Sequence, residues 1–254
     1  SPAQMKRLRR HMQIVFQDPY ASLNPRMIVG DIVGEPLKLT GEWTDRNWQR
    51  RVLELLETVG LDPSCFSCFP NEFSGGQRQR ICIARALALH PHLIICDEPV
   101  SALDVSIRSQ ILNLLCRLQQ ELSLTYLFIS HDLSVIHHVS DRICVMYLGQ
   151  IVEFGTTEQV YLIPLHPYTR CLLSSVLSPV TCSCADAVSP VIGEPSIMTI
   201  HDKGCSFRSR CQQALEICAW SPPPMYDIDG HQVRCYLYAK NGALDLQFKR
   251  SSRG

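Results

Sequence analysis

The stretch Leu93-Ile94-Ile95-Cys96-Asp97-Glu98 decides the fold class, because four apolar residues run directly into two acids. An apolar run of this length is typical of a strand buried in a parallel sheet. Ligands of open α/β sheets lie beyond the carboxyl ends of such strands, where this acidic pair stands. Asp97 can hold Mg²⁺ there, and Glu98 can orient and deprotonate a water molecule. Taken alone, the pattern fits an ordinary strand end equally well.

The flanking sequence predicts an α/β fold around this strand. Downstream, apolar strand-like runs alternate with helical patterns, which indicates right-handed βαβ crossovers on a parallel sheet. The predicted elements are a helix at 105–122, a strand at 126–129, a helix at 133–139, a strand at 143–147 and, after a hairpin at Gly149, a strand at 151–154. The first of these helices has one apolar stripe, formed by Ile111, Leu112, Leu115, Leu118 and Leu122. Upstream, a short strand at 12–17 precedes a mostly helical segment at 28–89.

Length and composition restrict the function classes. The 254 residues are 46% hydrophobic, enough for one substantial core with an extension. Lys and Arg together number 24, as do Asp and Glu, so no global field attracts nucleic acid. No apolar run approaches the roughly 20 residues of a bilayer span, and residues 1–10 lack the apolar core of a secretion signal. Most of the 13 cysteines lie in apolar stretches, which favours a reduced, cytosolic protein.

Two further elements support a functional role for the acidic pair. Ser74-Gly75-Gly76-Gln77 opens a helix with capping-box spacing, yet two glycines in a first turn cost about 1 kcal/mol each against alanine. The glycines leave backbone N–H groups accessible to an anion, and a phosphate is the natural ligand. His131 follows a second buried strand, at the sheet edge predicted for Glu98. An imidazole at this edge can contact a terminal phosphate or the attacking water.

In their order and spacing, these residues resemble the nucleotide-binding subunits of ABC transporters. The resemblance identifies Gln17 with the Q-loop glutamine, residues 74–77 with the signature motif and residues 93–98 with the Walker B strand and its catalytic glutamate. It identifies residues 101–104, which end in Asp104, with the D-loop, and His131 with the switch histidine. Residues 16–26 and 166–170 resemble the branch that imports oligopeptides and dipeptides. The resemblance extends over residues 12–238.

The resemblance implies a P-loop NTPase with a RecA-like parallel core, a helical signature subdomain and a small C-terminal four-cysteine extension. Two homologous ATP-binding subunits, paired as a heterodimer, are implied to enclose two ATP molecules with Mg²⁺ head to tail, each signature helix capping the other subunit's ATP. The implied partners also include transmembrane permease subunits, to which the Gln17 loop relays closure, and indirectly a periplasmic or extracellular peptide-binding protein. The implied location is peripheral, on the cytoplasmic face of the inner (plasma) membrane.

One motif of that family does not occur in the sequence. There is no G-x-x-x-x-G-K-[ST], and the first glycine is Gly30. That motif supplies the backbone cradle and the lysine that bind the β and γ phosphates. We therefore expect a truncated or split gene product that binds ATP poorly alone but presents its signature turn to a partner's ATP. Two alternatives stay open, which are a catalytically inactive module that completes a partner's site and a soluble ABC ATPase of DNA repair or translation.

Four cysteines near the carboxyl terminus form a second candidate site. Cys205, Cys211, Cys218 and Cys235 are separated by five, six and sixteen residues. A short, loop-rich segment of this kind can gain folding free energy from a bound metal. The spacing lacks the tight C-x-x-C pairs of most zinc sites, so zinc is the less favoured ligand. The resemblance to the peptide-importer branch implies a 4Fe-4S cluster, which four thiolates can hold, and four unliganded thiols are the remaining alternative.

The predicted domain organisation follows from these patterns. Pro179 and Pro190, in an aperiodic stretch, mark a linker. The predicted segments are a core remnant with the Q-loop (1–27), a helical signature subdomain (28–90), a RecA-like core (91–178), the linker (179–192), a cysteine module (193–238) and a tail (239–254).

Overall fold

The computed structural model describes residues 2–40, 45–177 and 204–239. The chain divides into two compact units, Ser1–Val139 and Ser140–Gly254. The predicted linker at 179–192, the first part of the predicted cysteine module (193–203) and residues 240–254 of the predicted tail lie outside the described residues.

The first unit alternates helices and strands, which confirms the predicted α/β class. Its elements in chain order are α1 (Pro2–His11), β1 (Met12–Val15), α2 (Pro19–Ser22), α3 (Val29–Thr40), α4 (Asp45–Thr58), α5 (Gly75–Leu87), β2 (Leu93–Asp97), α6 (Val105–Leu122), β3 (Thr125–Ile129) and α7 (Leu133–Val139). Two short 3-10 helices, Pro63–Ser67 and Pro70–Glu72, lie between α4 and α5.

The strands of this unit form a parallel sheet in the order β1-β2-β3. The central strand β2 pairs Cys96 with Val15 on one side and with Phe128 on the other. The predicted strand at 12–17 ends at Val15, because the chain then turns into α2, whose amino end is capped by Asp18. Since all three strands run in the same direction, the residues that follow them leave the sheet at one edge.

Helix α6 contributes its apolar stripe to the core beside this sheet. Ile111, Leu112, Leu115 and Leu118 are buried as predicted, and Leu114 is buried with them. The prediction for Leu122 is wrong, since its side chain is 46% exposed. Leu122 is the last residue of the helix, directly before Ser123, which ends α6 in the left-handed conformation.

Helices α3, α4 and α5 pack together and set the position of the start of α5. The buried face of α4 consists of Trp48, Val52, Leu55, Leu56 and Val59. The Trp48 ring lies against the α3 backbone at Gly34, where an added Cβ would be 2.6 Å from the ring. Only glycine allows this close approach.

The second unit contains an antiparallel sheet. Its elements are β4 (Arg142–Tyr147), β5 (Gln150–Thr156), α8 (Thr157–Leu162), α9 (Pro167–Leu177), β6 (Tyr226–Ile228) and β7 (His231–Val233), with 3-10 helices at Arg208–Arg210, Glu216–Ala219 and Tyr236–Tyr238. The strand order is β4-β5-β7-β6. The buried Glu153 carboxylate joins three segments of this unit, because it accepts hydrogen bonds from His231 Nε2 (2.8 Å) and from the backbone N–H groups of Leu165 and His166 (2.7 and 2.9 Å).

The prediction that the strand at 143–147 extends the parallel sheet is wrong. In the structure this strand, β4, pairs antiparallel with β5. The predicted hairpin at Gly149 is confirmed, and it explains the difference. Leu148 and Gly149 both have positive φ angles (45° and 76°), which is the conformation of a two-residue hairpin turn. Such a turn pairs β4 with the strand that immediately follows it.

Candidate nucleotide site

Glu98 lies directly after β2 in a strained backbone conformation. Its φ angle is 45°, in the left-handed region that costs a residue with a side chain about 1–2 kcal/mol. Hydrogen bonds on both sides hold this conformation. The Glu98 N–H donates to the Ile129 carbonyl (3.0 Å), and the Glu98 carbonyl accepts from the N–H and the hydroxyl of Ser101 (3.2 and 3.0 Å). Strain of this kind is concentrated at functional sites.

Two side chains from the neighbouring strand ends meet the Glu98 carboxylate. Gln17 Nε2 donates to Oε2 at 2.8 Å, and His131 Nδ1 lies 3.0 Å from Oε1. An ionised carboxylate only accepts hydrogen bonds, so it favours the tautomer in which Nδ1 carries the proton. The Glu98 side chain is 23% exposed and that of His131 is 73% exposed, so both are accessible to a ligand. The structure thus brings Gln17, Glu98 and His131 together.

Asp97 is the last residue of β2 and is paired with Ile129 of β3. It is partly buried, at the same end of the sheet as Glu98. Mg²⁺ is usually held by one or two carboxylates together with substrate phosphates. An Mg²⁺ site with this acid therefore needs a nucleotide to complete it, and the role of Asp97 stays a prediction.

The loop at 101–104 connects Glu98 to α6. Ser101 contacts the Glu98 carbonyl at one end of the loop, and Asp104 is the N-cap residue of α6 at the other. In the described part of the chain, the Asp104 carboxylate makes no capping hydrogen bond. Because this carboxylate is also exposed, it is available to a partner.

The predicted signature turn forms a complete capping box at the start of α5. Gln77 N donates to Ser74 Oγ (3.4 Å), and Ser74 N donates to Gln77 Oε1 (3.0 Å). No hydrogen bond among the described residues joins this turn to Gln17, Glu98 or His131. The site residues therefore form two groups, one around Glu98 and one at the amino end of α5.

Packing gives the two glycines of this turn different roles, which the sequence pattern did not reveal. A Cβ on Gly76 would lie 2.4 Å from Cγ2 of Ile107, on α6. A Cβ on Gly75 would lie 3.4 Å from Cδ2 of Leu103, at the margin of ordinary contact. Gly76 is therefore required by the packing of α5 on α6, and Gly75 is the glycine that leaves the turn open.

Arginines of α5 connect the signature helix to the segment after Gln17. The guanidinium of Arg78 lies 3.9 Å from the centre of the Tyr20 ring, and Arg85 donates to the Ser22 carbonyl at 2.7 Å. Arg78 also donates to the carbonyl of Pro70 at 2.7 Å. These contacts tie α2, the segment after Gln17, to the signature helix α5.

The four predicted cysteines of the second unit line one cavity. Its wall also includes His166 and Phe207. Burial raises the pKa of the Cys205 and Cys211 thiols, and it raises the pKa of Cys235 to about 12. Burial also lowers the pKa of His166 to about 4, with Arg170 adding to the effect, so this imidazole is neutral at pH 7. Free thiols of Cys205, Cys211 and Cys235 are therefore protonated at that pH.

The four thiols do not form a ready site for a single metal ion. Within residues 2–40, 45–177 and 204–239, no three His, Cys, Asp or Glu side chains are grouped so that they could hold one ion. A tetrahedral zinc site needs its sulfurs about 2.3 Å from a common centre. The thiols instead lie along the wall of one cavity.

Comparison with known proteins assigns the chain to a family. Residues 1–101 match the family described as "ABC transporter", and residues 152–218 match "Oligopeptide/dipeptide transporter, C-terminal region". A putative peptide import ATP-binding protein of Brucella abortus is 52% identical over 236 residues, which are 93% of this chain and 70% of the relative. The chain belongs to the ATP-binding proteins of oligopeptide/dipeptide ABC transporters. Members of this family are ATPases.

Other relatives of this ABC-transporter ATP-binding protein agree with the assignment. The oligopeptide transport ATP-binding protein AppF of Bacillus subtilis is 51% identical, and the alignment covers 92% of this chain and 72% of the relative. The dipeptide transport ATP-binding protein DppF of Haemophilus influenzae is 47% identical, over 90% of this chain and 70% of the relative. CbiO1 of Clostridium perfringens, part of the ABC transporter complex cbiONQ, aligns structurally with a TM-score of 0.58 and 28% identity, over 64% of each chain.

ATP-binding proteins of ABC importers associate peripherally with membranes through their permeases. None of the helices in the described ranges has the length and apolarity needed to cross a bilayer. The first family match includes Gln17, the signature turn and Glu98, and the second includes Cys205, Cys211 and Cys218.

Proposed function

We propose that this chain is the ATP-hydrolysing subunit, or a part of it, that energises the import of oligopeptides and dipeptides. The observation that carries the proposal is the contact of Gln17 and His131 with the two carboxylate oxygens of Glu98. Two polar side chains from the neighbouring strand ends converge on one acid beyond a parallel sheet, where α/β proteins bind their ligands. The peptide class comes from the names of the relatives.

Each residue of the Glu98 group has one proposed role. Glu98 orients the attacking water and accepts its proton, as a general base does in phosphoryl transfer. His131 contacts the γ-phosphate, and Gln17 senses its presence. Asp97 holds Mg²⁺ of the bound MgATP, directly or through water. The strained backbone of Glu98 supports this assignment, because it fixes the carboxylate at the exposed edge of the sheet.

The signature turn acts on the ATP of a second subunit. The amino end of α5 offers backbone N–H groups to an anion, and Ser74, Gly75, Gly76 and Gln77 form this end. Asp104, the exposed N-cap residue of α6, contacts the paired subunit. The paired subunit is a different but homologous ATP-binding protein. The assembly is then a heterodimer that binds two ATP molecules.

The other partners follow from the transporter family. Transmembrane permease subunits bind the ATP-binding pair at the cytoplasmic face of the inner (plasma) membrane, and a periplasmic or extracellular peptide-binding protein delivers the substrate. The residue segments retain their predicted roles, with the helical subdomain at 28–90 presenting the signature turn and the core at 91–178 presenting Glu98 and His131.

The four-cysteine cavity holds a 4Fe-4S cluster. Four thiolates are the ligand set of such a cluster, and the four cysteines line the same cavity. Cys205, Cys211, Cys218 and Cys235 would be its ligands, and the cluster would stabilise the fold of this segment. Anaerobic purification with metal analysis tests this proposal. We expect a brown protein with about four irons, and a colourless protein with one zinc would overturn it.

A second candidate function is an inactive module that completes a partner's ATP site. The described residues show no hydrogen bond between the signature turn and the Glu98 group, so the turn can act on a partner's ATP without Glu98. In such a module the signature turn would act, whereas Glu98 would be idle. The two functions therefore differ in what a substitution of Glu98 does.

Peptide accumulation by the assembled transporter in vesicles tests the leading proposal. Glu98→Gln keeps the size of the side chain but removes the base, so ATP-driven accumulation of a tripeptide should stop. Glu121→Gln is the matched control. Glu121 is a half-exposed carboxylate on α6, and its Oε2 lies 3.6 Å from Nη1 of the half-exposed Arg117. Unchanged accumulation with Glu98→Gln would refute the proposal and favour the inactive module.

A further inference from the structure

Arg108, in the first turns of α6, connects two loops of the nucleotide site. Its Nη1 is 3.0 Å from Oδ2 of Asp132, and its Nη2 donates to the Leu103 carbonyl at 3.5 Å. Leu103 belongs to the 101–104 loop, whose first residue, Ser101, contacts the Glu98 carbonyl. Asp132 follows His131 directly in the sequence. One guanidinium therefore contacts both the loop that follows Glu98 and the turn that carries His131.

Asp132 fixes the turn that carries His131. Its second oxygen, Oδ1, accepts from the N–H groups of Ser134 (2.9 Å) and Val135 (3.4 Å), at the start of α7. The Asp132 N–H donates to the hydroxyl of Ser130 at 3.0 Å. His131 thus lies between two residues that are held in place, and Arg108 provides the contact that anchors this turn to α6.

The guanidinium of Arg108 is held by its two terminal nitrogens. Among the described residues its buried Nε has no hydrogen-bond partner, and leaving a buried donor unpaired costs free energy. The side chain of Arg108 is 28% exposed and that of Asp132 is 32% exposed, so solvent screens this pair less than a surface pair. The contacts with Asp132 and Leu103 therefore form although they leave Nε unpaired, which indicates that they fix the position of this side chain.

We infer that Arg108 is a positioning residue for His131, which it aligns with Glu98 by holding Asp132. The inference rests on the proposed function of the Glu98 group. A planar guanidinium can reach Asp132 and Leu103 at once, whereas a lysine ammonium acts as a single point charge. The 101–104 loop and the His131 turn therefore respond together when either one moves.

Nitrogen NMR of the ring of His131 tests this inference without nucleotide. The protein is labelled with ¹⁵N-histidine, and the Glu98→Ala variant gives the reference spectrum of an imidazole that has lost its carboxylate partner. In Arg108→Met we expect the Nδ1 resonance of His131 to move most of the way to that reference. Arg108→Lys, which keeps the charge, should move it less.

Arg117→Met is the matched control. Arg117 also lies on α6 and pairs with an acid, but it faces Glu121 and the carbonyl of Thr58, away from His131. Its removal should leave the His131 resonance where it is in the wild type. The inference would be overturned if the His131 Nδ1 resonance of Arg108→Met stayed at its wild-type position. It would also be overturned if Arg117→Met shifted this resonance as much as Arg108→Met does.

Catalysis in the assembled transporter gives a second readout. Misalignment of a group by about 1 Å can cost up to about 100-fold in rate, so Arg108→Met should lower kcat about tenfold or more and change KM for ATP little. Asp132→Asn should act on the same contact, and the double variant should be no slower than the slower single variant. Additive losses would overturn the inference. If Glu98→Gln leaves turnover unchanged while the NMR shift is present, the proposed function fails and the positioning contact stands.

Discussion

At the scale of single residues, the site depends on backbone positions that tolerate little change. Glu98 keeps a left-handed conformation, and Gly76 leaves room for Ile107 of α6. Both features were invisible in the sequence, because one is a dihedral angle and the other a contact between residues 31 positions apart in the chain. The acids, the glycines and His131 were nevertheless recognisable from their types and spacing.

The two glycines of the signature turn should respond differently to alanine. Gly76→Ala forces a Cβ against the partly buried Ile107, so we expect the free energy of unfolding to fall by about 1–3 kcal/mol, although alanine favours helices by about 1 kcal/mol. Gly75→Ala should leave the free energy of unfolding unchanged within about 0.5 kcal/mol but lower ATP turnover of the complex. Urea denaturation followed by circular dichroism measures the first effect.

A compensating variant checks the stated cause. Ile107→Ala removes the methyl group that the new Cβ would meet, so it should restore most of the stability that Gly76→Ala loses. If Gly75→Ala is the less stable of the two single variants, the packing argument is wrong.

At the scale of secondary-structure elements, local turn chemistry decided the pairing of β4. The alternation of strands and helices predicted βαβ crossovers and gave the correct bounds for α6 and α7. The same alternation assigned β4 to the parallel sheet, and this was wrong. The turn at Leu148 and Gly149 brings β5 back beside β4 with only two intervening residues, whereas a parallel pair needs a long crossover.

The hairpin turn should be sensitive to the residue at position 149. Its φ of 76° is unfavourable for a residue with a Cβ by about 1–2 kcal/mol, and an added Cβ would meet no other atom. Gly149→Ala should therefore lower the free energy of unfolding by about that amount through the backbone alone. Gly149→Asn is the control, because asparagine accepts the left-handed region more readily. Equal losses for the two variants in denaturation would contradict this explanation.

At the scale of the whole molecule, each of the two units depends on residues that are distant in the sequence. In the second unit, Glu153 meets His231 78 positions later in the chain. In the first unit, Gln17 meets Glu98 81 positions later. Sequence reasoning could predict that Gln17, Glu98 and His131 reach one edge, because parallel strands end together. Sequence reasoning could not predict the contact of Glu153 with His231 or that of Arg108 with Asp132, because no periodic pattern connects these positions.

Removal of the Glu153 carboxylate should destabilise the second unit strongly. Glu153→Ala leaves a buried imidazole and two buried N–H groups without their acceptor, and loss of one partner from a buried ionic network costs about 3–5 kcal/mol. Glu158→Ala, at an exposed position of α8, should cost less than about 1 kcal/mol. Thermal unfolding measures the stability of the two variants, and hydrogen exchange of the amides in β5 and β7 locates the loss. Equal midpoint temperatures for Glu153→Ala and Glu158→Ala would show that the buried contacts contribute little.

The central claim is that Glu98, with Gln17 and His131 on its carboxylate, performs the chemistry of ATP hydrolysis. The most direct measurement is the rate of phosphate release by the assembled complex at saturating MgATP, for the wild type and for Glu98→Gln. Since a general base contributes about 10²–10⁴-fold, we predict a fall of at least about 100-fold, with ATP still bound. An unchanged rate would contradict the claim.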